Sequence, residues 1–173
     1  MEENIVKTGI TLTLLTILSL GGCAVFAKPS PPHYNLTFDA DAQVNTMADG
    51  QPAPIKIHVL MLRSDNEFIG ADFFSLQKNP QDTLGDKLLD SNQFFLTPGQ
   101  TGKNFKGQSA PEARYIGVVA EYQNLDGKVW RISLPLPDAT KDNFYKIWPF
   151  AHDELTAHIV VIVDGIQIVK EAD

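Results

Sequence analysis

The sequence has one cysteine in 173 residues, so no disulfide can form within the chain. An oxidising compartment would offer it no covalent staple, and stability has to come from packing. Cations are also scarce: 14 Lys and Arg stand against 21 Asp and Glu, a formal charge of -7. That balance argues against a nucleic-acid surface, which needs a basic patch. Long apolar runs are few. Residues 10–20 form one uncharged stretch, too short for a permanent bilayer span, and no second run is long enough to cross. What remains is ordinary for a globular protein: 43% hydrophobic residues, 20% charged, and enough chain for one domain with a sizeable core.

The cysteine stands at the end of Leu20-Gly21-Gly22-Cys23, directly after the apolar stretch. The stretch has the length of a signal-peptide core. Small residues before a cysteine resemble the lipobox of bacterial lipoproteins. The resemblance implies that residues 1–22 are a lipoprotein signal peptide. It also implies that the Cys23 sulfur carries diacylglycerol and that the new amine is acylated. One acyl chain binds a membrane marginally, whereas two or three anchor it. Ala24, where an Asp would signal retention in the inner membrane, implies anchorage on the periplasmic side of the outer membrane. Residues 23–33 contain Pro29, Pro31 and Pro32 and read as a semi-stiff tether reaching at most about 30–35 Å.

Residues 34–173 read as one β-rich domain. Tyr34, Leu36, Phe38, Ala40, Ala42 and Val44 alternate with polar residues, predicting a strand with one buried face. Ile55, Ile57, Val59 and Met61 predict a second, with Lys56 and His58 on its wet side. Between them Asn45-Thr46-Met47-Ala48-Asp49-Gly50-Gln51-Pro52-Ala53-Pro54 is longer than a hairpin needs. Ser64-Asp65-Asn66-Glu67 fits a capping box opening a helix with Ile69, Phe73 and Leu76 at helical spacing, joined by Phe68 and Phe74 and stopped by Pro80. A second short helix is expected over residues 83–90, giving a helical insertion at about residues 64–91. Residues 93–97 read as a short strand, and residues 103–111 stay unassigned. Asn124-Leu125-Asp126-Gly127 joins two central strands, and Asp164-Gly165 is expected to form a type I′ hairpin turn. Residues 144–150 are short and aromatic. Seven or eight strands with turns between them predict a mainly β, two-sheet sandwich.

No catalytic constellation emerges, and the chain is expected not to be an enzyme, with no cofactor, metal or small-molecule substrate. Residues 99–104 have too few residues between glycines for a phosphate loop and lack a Ser or Thr after Lys103. His152 and His158 are six apart, whereas a zincin helix sets its histidines four apart. Asp82, Asp86 and Asp90 would share a helix face, best read as a cap at Asp82 and a solvated surface. Trp130 is expected in the core of a central strand.

The ordered segments Phe73-Phe74-Ser75-Leu76, Leu84-Gly85-Asp86-Lys87-Leu88-Leu89, Leu96-Thr97-Pro98-Gly99, Tyr115-Ile116-Gly117-Val118-Val119-Ala120-Glu121-Tyr122 and Trp130-Arg131 resemble the TssJ (SciN) lipoproteins of the type VI secretion system. Gln123 departs from that pattern, where an arginine is frequent. The resemblance implies a transthyretin-like β-sandwich, anchored to the outer membrane, that binds the periplasmic domain of TssM and through it TssL. It also assigns the contact to the loop after the first strand: Asn45, Thr46, Met47, Ala48, Asp49, Gly50, Gln51 and Pro52. The residues themselves agree, since Pro52 and Pro54 limit the loop's freedom, Met47 is an adaptable apolar contact and Asp49 a rim charge. The alternative is a periplasmic lipoprotein that binds a small apolar ligand between its sheets.

Overall fold

The computed structural model describes residues 30–138 and 154–169. The alternation of the first strand becomes β1, His33–Ala40, with Tyr34, Leu36, Phe38 and Ala40 buried. It starts one residue before the expected boundary and ends at Ala40. Ala42 is exposed, and Val44 is buried from within the following loop. The other strands are β2 Ile55–Leu62, β3 Leu88–Leu96, β4 Lys103–Gln108, β5 Tyr115–Glu121, β6 Arg131–Pro135, β7 Glu154–Ile162 and β8 Gly165–Val169. They form two four-stranded sheets, β4-β1-β7-β8 and β3-β2-β5-β6, so the mainly β, two-sheet sandwich is the architecture observed. β1 runs parallel to β7; the other pairings are antiparallel.

The facing sides of the sheets hold the main core. Leu36 and Phe38 come from one sheet, Ile55, Ile57, Ile116 and Val118 from the other, and all are fully buried. Phe38 meets Phe94 edge to face with ring centroids 5.1 Å apart. Each such side chain contributes ~1.5–3 kcal/mol by leaving water, so this layer fixes how the sheets stack. The Tyr122 hydroxyl donates to the Ile162 carbonyl at 2.8 Å and ties the two sheets together.

β2 is buried on both faces because its outer side is covered. The cover is α1 Asn66–Gly70, α2 Phe73–Lys78, α3 Pro80–Leu84 and one 3-10 turn, Gly85–Lys87. Phe68, Phe73, Leu76 and Leu84 pack on Leu60, Leu62, Leu88 and Val119. Three details differ from the sequence reading. Phe68, not Ile69, faces the sheet, and Ile69 is exposed, because the helix breaks after Gly70 and restarts under Asp72, whose carboxylate accepts from the Ser75 N–H at 3.0 Å. Pro80 opens α3 instead of ending the helical stretch, since a first-turn residue needs no N–H partner; Asn79 caps it. The cap position of α1 is Asp65, and Glu67 meets the Ser64 hydroxyl at 3.3 Å, not a backbone N–H.

The insertion also ends earlier than residue 91. Leu88 pairs with Leu62 across a bulge that leaves Leu89 of β3 unpaired opposite Met61 and Leu62, so residues 88–91 are strand. Residues 103–108, unassigned from sequence, pair with β1 along the edge of their sheet. The β7–β8 turn is Val163-Asp164, because Gly165 pairs with Ile162 at φ +141°, where a Cβ would come within 2.5 Å of the Val129 carbonyl oxygen.

His58, expected on a wet face, is buried beneath the insertion. Its Nε2 lies 2.5 Å from Glu121 Oε1 without hydrogen-bond alignment, and Lys56 Nζ is 2.9 Å from the same oxygen. Gln77 of α2 donates to the second Glu121 oxygen at 2.9 Å. Burial pushes the His58 imidazole below its usual pKa, with Glu121 opposing and Lys56 assisting.

Candidate functional site

Strand directions sort the connections to two ends of the sandwich. At one end the β1–β2, β3–β4, β5–β6 and β7–β8 connections meet. The Ala40 N–H donates to the Gln100 carbonyl at 2.8 Å, Asp41 N–H to the Val161 carbonyl at 2.9 Å, and Val129 N–H to the Asp164 carbonyl at 3.2 Å. The opposite end receives the N-terminal segment: the Ser109 N–H donates to the Pro32 carbonyl at 2.9 Å. The loop of residues 45–54 therefore stands about 25 Å, one eight-residue strand, from Pro32.

Asn45 fastens this loop. It is buried, adopts a left-handed φ of 52°, and bridges two elements. Its Nδ2 donates to the Pro54 carbonyl at 2.9 Å, closing the loop's base. Its Oδ1 accepts from the Gln123 N–H at 2.8 Å, tying that base to the β5–β6 turn. Asparagine tolerates this backbone region better than most residues, and both ends of its amide are used. Above the base, Thr46, Met47, Ala48, Asp49, Gly50 and Gln51 are exposed and Pro52 is half-buried. A turn shapes the tip: the Met47 N–H donates to the Gln51 carbonyl at 2.9 Å, and Asp49 Oδ1 accepts from the Gln51 N–H at 3.0 Å. Asn45 thus positions the segment, and residues 46–51 form its exposed part.

Sequence reasoning left out the neighbour of this loop. Gln123 and Asn124 face Thr46, Met47 and Ala48 across a shallow cleft of about 270 Å³. The available signal was the turn-forming run after Tyr122, beside the one position where the family pattern is broken. Cys23 lies outside the described residues.

The sequence matches the family described as type VI secretion lipoprotein, VasD, EvfM, TssJ over residues 32–164. The chain belongs to the TssJ (SciN) family. Among solved structures, Serratia marcescens Lip, a membrane bound component of the type VI secretion system, is similar at 66% identity with a TM-score of 0.74. The match covers 83% of this chain and 99% of that one. Pseudomonas aeruginosa TssJ1 is similar at 28% identity with a TM-score of 0.69, covering 83% and 99%. A chain of a type VI membrane complex shares the fold at 20% identity and a TM-score of 0.65, covering 81% and 99%. No curated protein sequence matches. As a TssJ family member, the protein is a structural lipoprotein of the secretion system and not an enzyme.

The family's Trp130-Arg131 pair has a structural explanation in this TssJ chain. Trp130 precedes β6, is half-buried, and meets Phe73 edge to face at 5.3 Å. The Arg131 guanidinium sits 4.4 Å from the Trp130 ring centroid, and its Nη1 donates to the Phe68 and Ala71 carbonyls at 2.8 and 2.5 Å. Those carbonyls lie at the end of α1, so the arginine staples the insertion to the sheet. Residues 99–102 form a turn whose Gly102 N–H donates to Asp39 Oδ1 at 2.7 Å. His158 pairs with Asp39 at 2.8 Å across β1 and β7. Asp82 lies in α3, Asp86 in the 3-10 turn and Asp90 in β3, so they share no helix face. Asp82 is the partner of the Asn79 cap and not the cap itself. His152, Trp148 and residues 144–150 lie outside the described residues.

Proposed function

We propose that the protein is an outer-membrane lipoprotein, cleaved before Cys23 and acylated there, that helps assemble the type VI membrane complex by binding the periplasmic domain of TssM, and through it TssL. The periplasmic contact is the exposed segment Thr46, Met47, Ala48, Asp49, Gly50 and Gln51. The observation that carries this reading is the loop's placement: it is fixed at its base by Asn45 and stands at the end away from the tether. With about ten tether residues reaching at most ~30–35 Å, the body stays near its bilayer. The loop then faces the periplasm, where an inner-membrane partner must approach. Closure at the base lowers the ordering entropy lost on docking.

The test is deletion of residues 46–51, which leaves Asn45 and Pro54 in place. The deletion variant should fold and fractionate with the outer membrane but fail to capture the TssM periplasmic domain. Undiminished capture would overturn the site assignment. Replacement of Cys23 by Ser should release the protein from membranes, and retention would overturn the anchor.

A further inference from the structure

We infer that the docking surface continues from residues 46–51 onto the β5–β6 and β7–β8 turns, and that it fits a protein surface presenting an apolar side chain ringed by lysine or arginine. This rests on the docking reading above and states the chemistry of the partner's face. Three features support it. The cleft between the loop and Gln123-Asn124 can seat one large side chain, and its two walls are held in register by the Asn45–Gln123 hydrogen bond. Apolar side chains are exposed at the same end: Met47 at 37%, Val129 at 55% and Val163 at 40%. Val129 is joined to the β7–β8 turn by backbone bonds to Asp164 and Ile166, so these turns form one fastened surface.

Charge sets the sign of the partner. Asp41, Asp49, Asp126 and Asp164 are all exposed at this end, and none forms an ion pair among the described residues. The nearby Lys128 is turned inward, donating to the Val163 carbonyl with its ammonium over the Tyr122 ring. Of the other cations at this end, Lys56 is paired with Glu121 and Lys103 lies over the Phe94 ring. An apolar centre with an unbalanced acidic rim matches a basic-rimmed knob.

The experiment measures binding of the cognate TssM periplasmic domain to the full-length lipidated chain in detergent micelles. It compares Gln123→Trp, which fills the cleft, with the double variant Asp126→Lys and Asp164→Lys. Asp138→Lys at the opposite end is the control, and deletion of residues 46–51 is measured alongside. Each loop-end variant should weaken binding on the order of tenfold, with wild-type affinity falling as salt rises and the control unchanged. If the deletion abolishes binding while both loop-end variants bind as wild type, the extended surface is overturned and the loop assignment survives. If even the deletion binds normally, the docking reading falls and this inference with it. A thermal melt accompanies each variant. Should Gln123→Trp fail to fold, the surface charge reversals still decide the outcome.

Discussion

Phe68 of α1 rests directly on Gly117 of β5: a Cβ at position 117 would lie 2.9 Å from Phe68 Cζ and 3.0 Å from Leu62 Cδ1. The ring is fully buried and cannot swing aside. A glycine here is a contact requirement, not a turn. Gly117→Ala should destabilise the domain by ~1–3 kcal/mol through overpacking. Urea unfolding would register the loss, and hydrogen exchange should show α1 opening first. An unchanged midpoint would mean that the insertion shifts at no cost.

Asn45 makes two buried hydrogen bonds and holds a positive φ. Asn45→Ala removes both bonds and adds backbone strain, so a loss of ~2–3 kcal/mol is expected. Capture of the TssM periplasmic domain should weaken as well, because the loop loses its fixed base. Asn45→Asp should recover part of the stability, since one oxygen can still accept from the Gln123 N–H. Equal stability in the Ala and Asp variants would show that the bond from the Gln123 N–H contributes nothing.

The Tyr122 hydroxyl makes a hydrogen bond that crosses between the sheets, and burial pushes its phenol to a raised pKa. Tyr122→Phe leaves the Ile162 carbonyl without that donor and should cost about 1 kcal/mol. Equilibrium denaturation of the pair measures it. A Phe variant as stable as wild type would mean that water replaces the hydroxyl.

Acid should act on the fold in two separate windows. The His58 imidazole lies below the usual histidine pKa of about 6.5 in the folded state, chiefly because it is buried. Below that value the unfolded chain binds a proton that the native state resists, so stability falls as pH drops from 6.5 toward the native pKa. Asp39 acts lower. The Gly102 N–H, aided by His158, holds its carboxyl below 3.8, giving stability that is complete well above that value and lost as pH falls through the native pKa. Urea midpoints at several pH values for wild type and His58→Gln would separate the two. The variant should lose the upper slope and keep the lower one, and identical upper slopes would exonerate His58.

What sequence could and could not disclose follows from where information is local. Alternation in β1 and β2 is local, and their boundaries were legible to within a few residues. The loop between them was legible because two prolines and an Asp-Gly pair announce irregular backbone. β4 was not, since an edge strand reading Lys-Asn-Phe-Lys-Gly-Gln carries one large apolar side chain, and its pairing partner lies about 70 residues away. The burial of His58 was equally hidden: its own strand offers a wet face, and the helices that cover it arrive from a separate segment. The helical phase failed at Ile69 because a break of two residues resets the periodicity. The loop of residues 45–54 was visible, but the wall facing it at Gln123-Asn124 was not, as the two runs are joined by a hydrogen bond between residues 78 apart.

β1 lies between β4 and β7, paired along most of its length on both sides, with the N-terminal segment at its start and the loop of residues 45–54 just past its end. In an anchored molecule, tension between bilayer and partner would run along this strand. Because the strand is already extended, the load passes along its covalent backbone and does not force β4 or β7 to slide past it. Drawing single molecules apart between residues 33 and 50 should therefore leave the sheet paired at forces that strip β8 sideways from its edge. The order of the sheet makes this small body suited to a machine that strains against its own membrane.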